Sequence, residues 1–280
     1  MAKTLRNTSV AEIEAWLDQR RDHEQPSQRT SVATHMAWIP AEWSSAAEHV
    51  MRALGDRVPS RTLLLHPDPH SDVDGFDASV ELERFSGGRA GVCAEIVRIR
   101  LRGSAAEAPA SVVLPLQLPD LPVFLRWRGR PPFGRPPFEQ LTGAADRLIV
   151  DSREWDRLPS GLAELAKSFD RLAVSDLAWA RMLPWRASLA DRWPAIKRAT
   201  AIRIAGPRAD AVLLRAWLQT RLRKRLRLSH AEAEKVLGVE VDGEVVPPAR
   251  GLPSSPGDLL SAELESFTRD PVYEAAVRSV

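Results

Sequence analysis

The sequence predicts an α/β fold: a largely parallel, doubly wound (Rossmann-like) sheet with a smaller C-terminal α+β domain. Three observations lead there. Apolar runs of strand length at 30–39, 61–66, 121–127 and 147–151 alternate with segments of helical spacing or turn composition. Leu63-Leu64-Leu65 shows no polar alternation, as in a strand covered on both faces. Beyond residue 200, alternating valines flank Asp242-Gly243, whose residue types supply the positive φ angles of a type I′ hairpin turn.

Taken in order, Ser9-Val10-Ala11-Glu12 is a capping box, and Val10, Ile13 and Leu17 follow at helical spacing, so a first helix is expected to run to Arg21. A polar stretch at 22–28 leads to the strand at 30–39. Pro40 opens a helix with Ala47, Val50, Met51 and Leu54 on its apolar face, closed by Gly55. The strand at 61–66 completes a βαβ unit. Strands at 78–85 and 95–101 follow, with a glycine-rich turn at 87–91, and 111–118 reads as a short helix or strand. The strand at 121–127, a Gly/Pro loop at 129–137, a helix at 138–144 and a strand at 147–151 close the sheet.

Three helical stretches are then expected: one marked by Leu162, Leu165, Phe169 and Leu172, one at 176–183, and one at 185–193 ended by Pro194. The C-terminal unit opens with a strand at 200–205 and continues with a helix at 210–224, the hairpin at 239–246, a linker at 247–256 and a last helix at 258–277. The domain expectation is an N-terminal helix and linker at 1–29, an α/β domain with a helical extension at 30–195, and an α+β domain at 196–280.

The chain has 280 residues, 44% hydrophobic and 27% charged, which fits a globular protein with a sizeable core. No apolar run reaches the roughly 18 residues of a membrane span, and the first 19 residues lack the apolar stretch of a signal peptide, so a soluble, cytoplasmic protein is expected. One cysteine, Cys93, excludes intrachain disulfides and cysteine-based metal sites. Net charge is only +2, but five of the 39 basic residues are lysine and the rest arginine, the better residue for bidentate and stacked contacts.

Chemical motifs are scarce. There is no P-loop, no GxGxxG turn, no GxSxG elbow and no HExxH. The turn after the first parallel strand is Ile39-Pro40-Ala41-Glu42, and proline offers no amide to a phosphate. His66, Asp68, His70, Asp72 and Asp74 alternate at the end of a buried strand, where they would serve a metal or acid/base chemistry, or simply form a polar turn. The turn reading is adopted, with no metal and no cofactor. His35 and His49 read as packing or surface residues.

A basic run spans Arg221, Arg223, Lys224, Arg225 and Arg227, with Arg215 upstream and no acid between Ala211 and Ala231. It fits phosphates or an acidic partner, and without interleaved aromatics a protein partner is favoured over nucleic acid. Nine tryptophans stand against one tyrosine, Tyr273, and several adjoin arginines: Trp127 and Arg128, Trp179 and Arg181, Trp185 and Arg186. Such pairs are either interface anchors or core indoles covered by guanidinium groups.

The segments Leu118-Pro119-Asp120-Leu121-Pro122-Val123-Phe124-Leu125-Arg126-Trp127-Arg128-Gly129, Asp146-Arg147-Leu148-Ile149-Val150-Asp151-Ser152 and Ser175-Asp176-Leu177-Ala178-Trp179-Ala180-Arg181-Met182-Leu183-Pro184-Trp185-Arg186, in this order and spacing, resemble the OpcA family of glucose-6-phosphate dehydrogenase assembly proteins. Pro59-Ser60-Arg61, Ile202-Arg203-Ile204-Ala205-Gly206-Pro207 and Asp270-Pro271-Val272-Tyr273 support it. The resemblance implies a non-catalytic activator that binds glucose-6-phosphate dehydrogenase in the oxidative pentose phosphate pathway. Two alternatives stay open: a phosphosugar enzyme using residues 66–74, and an arginine-rich nucleic-acid binder. A sugar phosphate ligand is compatible with the sequence. The expected partner-binding residues are Trp127, Arg128, Asp176, Trp179, Arg181, Trp185, Arg186, Arg221, Arg223 and Arg225. Among them Arg186 is expected as an exposed contact, beside a rigid corner at Pro184 that Trp179 and Trp185 flank.

Overall fold

The computed structural model describes residues 2–23, 31–47, 60–85, 92–250 and 255–280. By internal packing the chain forms two units, residues 1–149 with 260–267 and residues 150–259 with 268–280.

The first unit is α/β, and among the described residues its strands run in the order β1-β4-β5-β3-β2-β6-β7. They are β1 (Lys3–Leu5), β2 (Ala33–Trp38), β3 (Ser60–Asp68), β4 (Gly75–Phe85), β5 (Val92–Arg102), β6 (Val123–Trp127) and β7 (Arg147–Val150). From β5 to β7 every pair is parallel, while β4 and β1 add an antiparallel edge. The central strands β2 and β6 are buried along their whole length, which is why their sequences carry no alternation.

Helix α1 (Val10–His23) starts at the capping box. The Ser9 amide donates to Glu12 Oε2 at 3.0 Å, and the Glu12 amide donates to Ser9 Oγ at 3.3 Å. Its Ile13 and Leu17 are fully buried. Arg61 on β3, 2% exposed, ties this region together. It donates to Glu95 of β5 at 2.7 Å, to Glu14 of α1 at 2.7 Å and to the Leu116 carbonyl at 2.9 Å. A buried guanidinium is tolerable only with such a set of acceptors.

After Pro40 the chain forms a 3-10 turn, Ala41–Trp43, and enters a helix at 44–47. Val50, Met51, Leu54 and Gly55 lie outside the described residues, as do the turn at 87–91 and the side chain of Cys93. After a short helix α2 (Ser104–Glu107), the ambiguous 111–118 segment is helical through 116: α3 (Ala110–Val113) and a 3-10 turn, Leu114–Leu116. Helix α4 (Pro136–Gly143) links β6 to β7.

The second unit is α+β. It holds α5 (Leu158–Ala166), β8 (Ala173–Asp176), α6 (Leu177–Arg181), α7 (Leu183–Ala190), β9 (Ala201–Ala205), α8 (Arg208–Leu222), β10 (Arg227–Ala231), β11 (Gly238–Val241) and β12 (Glu244–Val246). Its sheet runs β10-β9-β11-β12, with β10 parallel to β9 and the other pairs antiparallel. The β11–β12 turn is the expected one, with φ of 50° at Asp242 and 86° at Gly243.

Three sequence expectations change here. The segment at 176–183 is preceded by a short strand, β8, which the sequence reading did not anticipate. Pro184 lies in the first turn of α7 as well as following α6, because proline fits where no amide donor is needed. The expected single helix at 258–277 is two, α9 (Pro256–Leu264) and α10 (Pro271–Arg278), since Asp270 caps the second through the Val272 and Tyr273 amides at 2.9 and 3.0 Å. No helix among the described residues is long and apolar enough to cross a membrane.

Candidate functional site

In the first unit, β3 lies on one side of β2 and β6 on the other, both parallel to it, so the connections leave β2 and β6 in opposite directions. That is a topological switch point, where open α/β sheets hold ligands outside the carboxyl ends of their strands. Here the protein fills it. Trp38 and Trp127, directly opposite in the register, stack with ring centroids 5.0 Å apart. Phe138 of α4 meets Trp127 edge-on at 5.3 Å, and Phe133 meets Phe138 at 5.2 Å. The Arg128 amide donates to the Trp38 carbonyl at 3.0 Å, and its guanidinium lies 4.8 Å over the Trp43 ring. Gly129, at φ 73°, is needed: a Cβ there would come within 3.0 Å of the Trp43 indole nitrogen.

Beneath this stack, His35 on β2 is 1% exposed and its ring nitrogens have no hydrogen-bond partner. Burial, and then the nearby Arg126 charge, lower its pKa to about 4, so it is a neutral packing residue at neutral pH.

The alternating His/Asp segment is drawn apart. His66 and Asp68 lie within β3, and Asp68 pairs with Arg100 of β5 at 2.8 Å. Asp74 accepts from the Ser104 amide at 2.7 Å, which lowers its pKa, and Ser71 Oγ accepts from the Val73 amide. Among the described residues, no three His, Cys, Asp or Glu side chains converge to hold a metal.

The second unit holds a buried network of three carboxylates and two guanidinium groups. Asp151, just past β7, takes both arms of Arg181, at 2.9 and 2.6 Å. Asp210, fully buried in the first turn of α8, is held by both arms of Arg153, with Nε to Oδ1 at 2.7 Å. Asp176, 1% exposed, caps α6: its Oδ1 accepts from the amides of Ala178 at 2.9 Å and Ser152 at 3.0 Å. Its Oδ2 accepts from the Tyr273 hydroxyl at 3.3 Å. Burial, then the Asp151 charge, push the Asp176 pKa up to about 6, against the downward pull of the two amide bonds. Burial also raises that of Asp210, opposed by Arg153. The arrangement binds its own elements together. Arg153, Asp210 and Tyr273 were not among the expected residues, although Arg153 stands two positions after Asp151, the spacing of a short turn.

The remaining expected site residues divide by exposure. Trp127 at 1%, Trp179 at 5% and Trp185 at 8% are core residues, as is Arg128. Both indoles beside Pro184 are thus buried: Trp179 packs on Tyr273 at 5.5 Å and donates its indole N–H to Asp270 at 2.8 Å. Arg186 is half-buried, its guanidinium 3.6 Å from the Trp179 ring and bonded to the Trp179 carbonyl at 3.4 Å. It covers an indole instead of projecting into solvent. Arg181 is committed to Asp151. Only Arg221, Arg223 and Arg225 are exposed. The basic run also breaks: α8 ends as Arg223 turns left-handed at φ 53°, and Arg227 begins β10.

Comparisons with known proteins agree on one family. Residues 51–167 match the family model described as glucose-6-phosphate dehydrogenase subunit N-terminal domain, of the OpcA assembly-protein type. A protein of Synechocystis, provisionally named OxPP cycle protein OpcA, is 29% identical over 141 residues, which is 47% of this chain and 30% of that protein. A protein of the same provisional name from Nostoc punctiforme is 25% identical over 193 residues, 64% of this chain and 41% of the relative. The chain thus spans well under half the length of either relative it matches. By these matches it resembles the OpcA family, and residues 51–167 are the segment in which the match to that family's model lies.

Proposed function

We propose that this chain acts in the oxidative pentose phosphate pathway as a non-catalytic partner that binds glucose-6-phosphate dehydrogenase in the cytoplasm and promotes its assembly or activity. The observation that carries this reading is the match of residues 51–167 to the assembly-protein domain. Two structural features support it. The switch-point crevice, where an α/β enzyme of this topology would seat a nucleotide, is packed with Trp38, Trp127, Trp43 and Arg128. Two of the carboxylates that a phosphosugar enzyme would use, Asp68 and Asp74, are engaged by Arg100 and by the Ser104 amide.

The proposed contact lies on the second unit, where exposed Arg221 lines an apolar groove of about 300 Å³ with Leu189, Trp193, Trp217, Leu218 and Leu222, and exposed Arg223 and Arg225 follow it in the chain. Trp193 is 51% exposed, and Lys197 stacks on it at 4.5 Å. An exposed indole beside arginines is the composition of an interface anchor with an acidic counterpart. Reversing Arg223 and Arg225 to glutamate is expected to weaken dehydrogenase binding strongly at low ionic strength and less at high, because attraction between exposed charges is screened beyond about 8 Å at physiological salt. Titration of the dehydrogenase by fluorescence anisotropy in both buffers checks this. Unchanged affinity in both would make the run a solvated surface and move the contact elsewhere.

A further inference from the structure

The walls of the 300 Å³ groove come from the end of α7, the 3-10 turn Ala195–Arg198 and the last two turns of α8. Trp193, Ile196, Trp217 and Leu222 line it together with exposed Arg221. Lys224 Nζ donates to the Lys197 carbonyl at 2.6 Å and ties that turn to the end of α8, so the groove is formed before anything enters it. Its surroundings are basic. From Leu189 to Ala231 eleven basic residues stand against two acids, Asp191 and Asp210, and Asp210 is fully buried against Arg153. Neither Arg221 nor Lys197, which lies over the Trp193 ring, makes an ion pair among the described residues. Two aromatic side chains are exposed among those residues, Trp193 of the groove and Phe267, at 66%. Phe267 stands three residues beyond α9, one side of its ring against Phe124 at 5.7 Å and the rest in water. Glu263 and Glu265 precede it. Glu265 is exposed and has no ion pair among the described residues, whereas Arg269, the base that follows, is held by Glu274 at 2.9 Å.

An aromatic ring gains free energy on leaving water for an apolar site, and a groove walled by indoles supplies one. A cationic border favours a ring that arrives beside a carboxylate. The chain carries both halves of such a contact, and both are exposed within one copy. An apolar cavity of about 150 Å³ already holds one benzene ring, so the groove has room for a phenyl side chain. We propose that the chain by itself pairs with a second copy, Phe267 of each entering the groove of the other and Glu265 meeting Lys197 and Arg221. Because ring and groove belong to the same sequence, the exchange is reciprocal and closes as a two-fold dimer. This goes beyond the dehydrogenase reading, and where both contacts use the groove they compete for it.

Sedimentation equilibrium of the purified chain alone, across the micromolar range, is the test. A dimer is expected, and added salt should weaken it. Phe267→Ser and Trp193→Ser each remove one half of every contact and should weaken dimerisation about thirtyfold, the loss of an aromatic anchor. Both side chains are exposed, so circular dichroism and melting should match the parent. An equimolar mixture of the two variants regains one whole contact, the ring of the Trp193→Ser chain in the groove of the Phe267→Ser chain, and should dimerise more strongly than either variant alone. A chain that stays monomeric overturns the proposal. So does a dimer that both substitutions leave unchanged, or a mixture that associates no better than its components. Phe267→Ser leaves the groove whole, so dehydrogenase binding is expected to survive it and to be lost in Trp193→Ser. Self-association is measured without the dehydrogenase, and its outcome stands whether or not that partner binds.

Discussion

Arg153→Ala is expected to destabilise the protein by roughly 3 kcal/mol, the lower end for breaking a buried ion pair, because Arg153 is 23% exposed while its partner Asp210 is fully buried. The loss arises from what remains. Asp210 would be left in the interior without its two guanidinium contacts and would have to take up a proton or stay charged at high cost. The effect should therefore grow as pH rises above the carboxylate range. The double variant Arg153→Met with Asp210→Leu removes both charges and is expected to recover most of the stability, as apolar replacements of buried pairs often do. Chemical denaturation of the three proteins gives the comparison. A single variant as stable as the parent would show that water reaches Asp210 and that the pair does not hold the second unit.

The second large effect concerns Asp176. The network sets three carboxylates, Asp151, Asp176 and Asp210, against two guanidinium groups, Arg153 and Arg181, so one negative charge is in surplus. Burial places that surplus on Asp176, whose pKa rises from 3.8 to about 6. A carboxyl raised on folding binds a proton more tightly in the native state. Its contribution is therefore most favourable below the unfolded value and is lost as pH climbs through the window from about 4 to 6, on the order of 3 kcal/mol in all. Asp176→Asn keeps an oxygen to accept from Ser152 and Ala178 and removes the charge. It is expected to be more stable than the parent at pH 8 and to flatten the stability profile between pH 4 and 6. Asp176→Ala discards the acceptor as well, stranding two buried amides, and is expected to lose about 2–4 kcal/mol at every pH. Melting curves from pH 4 to 8 decide it. If the asparagine variant is as damaged as alanine, the ionised carboxylate is required and the assignment of the surplus is wrong.

Much of the fold was legible because local chemistry agreed with tertiary structure. Ser9 and Glu12 form the capping box their spacing announces, and Asp242-Gly243 makes the left-handed turn that only such residues adopt readily. The strands β2, β3, β6 and β7 stand where apolar runs placed them. What escaped was structure whose signal is overwritten by function-like composition. In β10, Arg227, Ser229 and Ala231 face out while Leu228 and His230 turn inward, a period of two that begins inside the basic run and is masked by it. In β8, four residues are too few for any period to show. The division of 258–277 was written in Asp270-Pro271, a cap followed by a first-turn proline, and helix periodicity alone runs across it.

The site was less legible, for a physical reason. Tryptophan beside arginine has the same sequence whether the guanidinium covers a core indole or both project to a partner, and the partners that decide it lie far along the chain. Trp179 is held by Asp270 and Tyr273, more than 90 positions away. The ion pairs of Arg153 and Asp210 likewise span 57 residues. Composition identified the arginine-rich character of the chain; only the fold separates the arginines that are consumed in the interior, Arg61, Arg153 and Arg181, from those at the surface, Arg221, Arg223 and Arg225.

The proposal of a non-catalytic partner is tested most directly by sedimentation velocity of the purified chain mixed with the glucose-6-phosphate dehydrogenase of the same organism, with dehydrogenase activity measured on the same mixture. The expected result is a faster-sedimenting complex that contains both proteins, with activity at limiting glucose 6-phosphate higher than that of the dehydrogenase alone. Two independent boundaries, at concentrations well above micromolar and with activity unchanged, would contradict it.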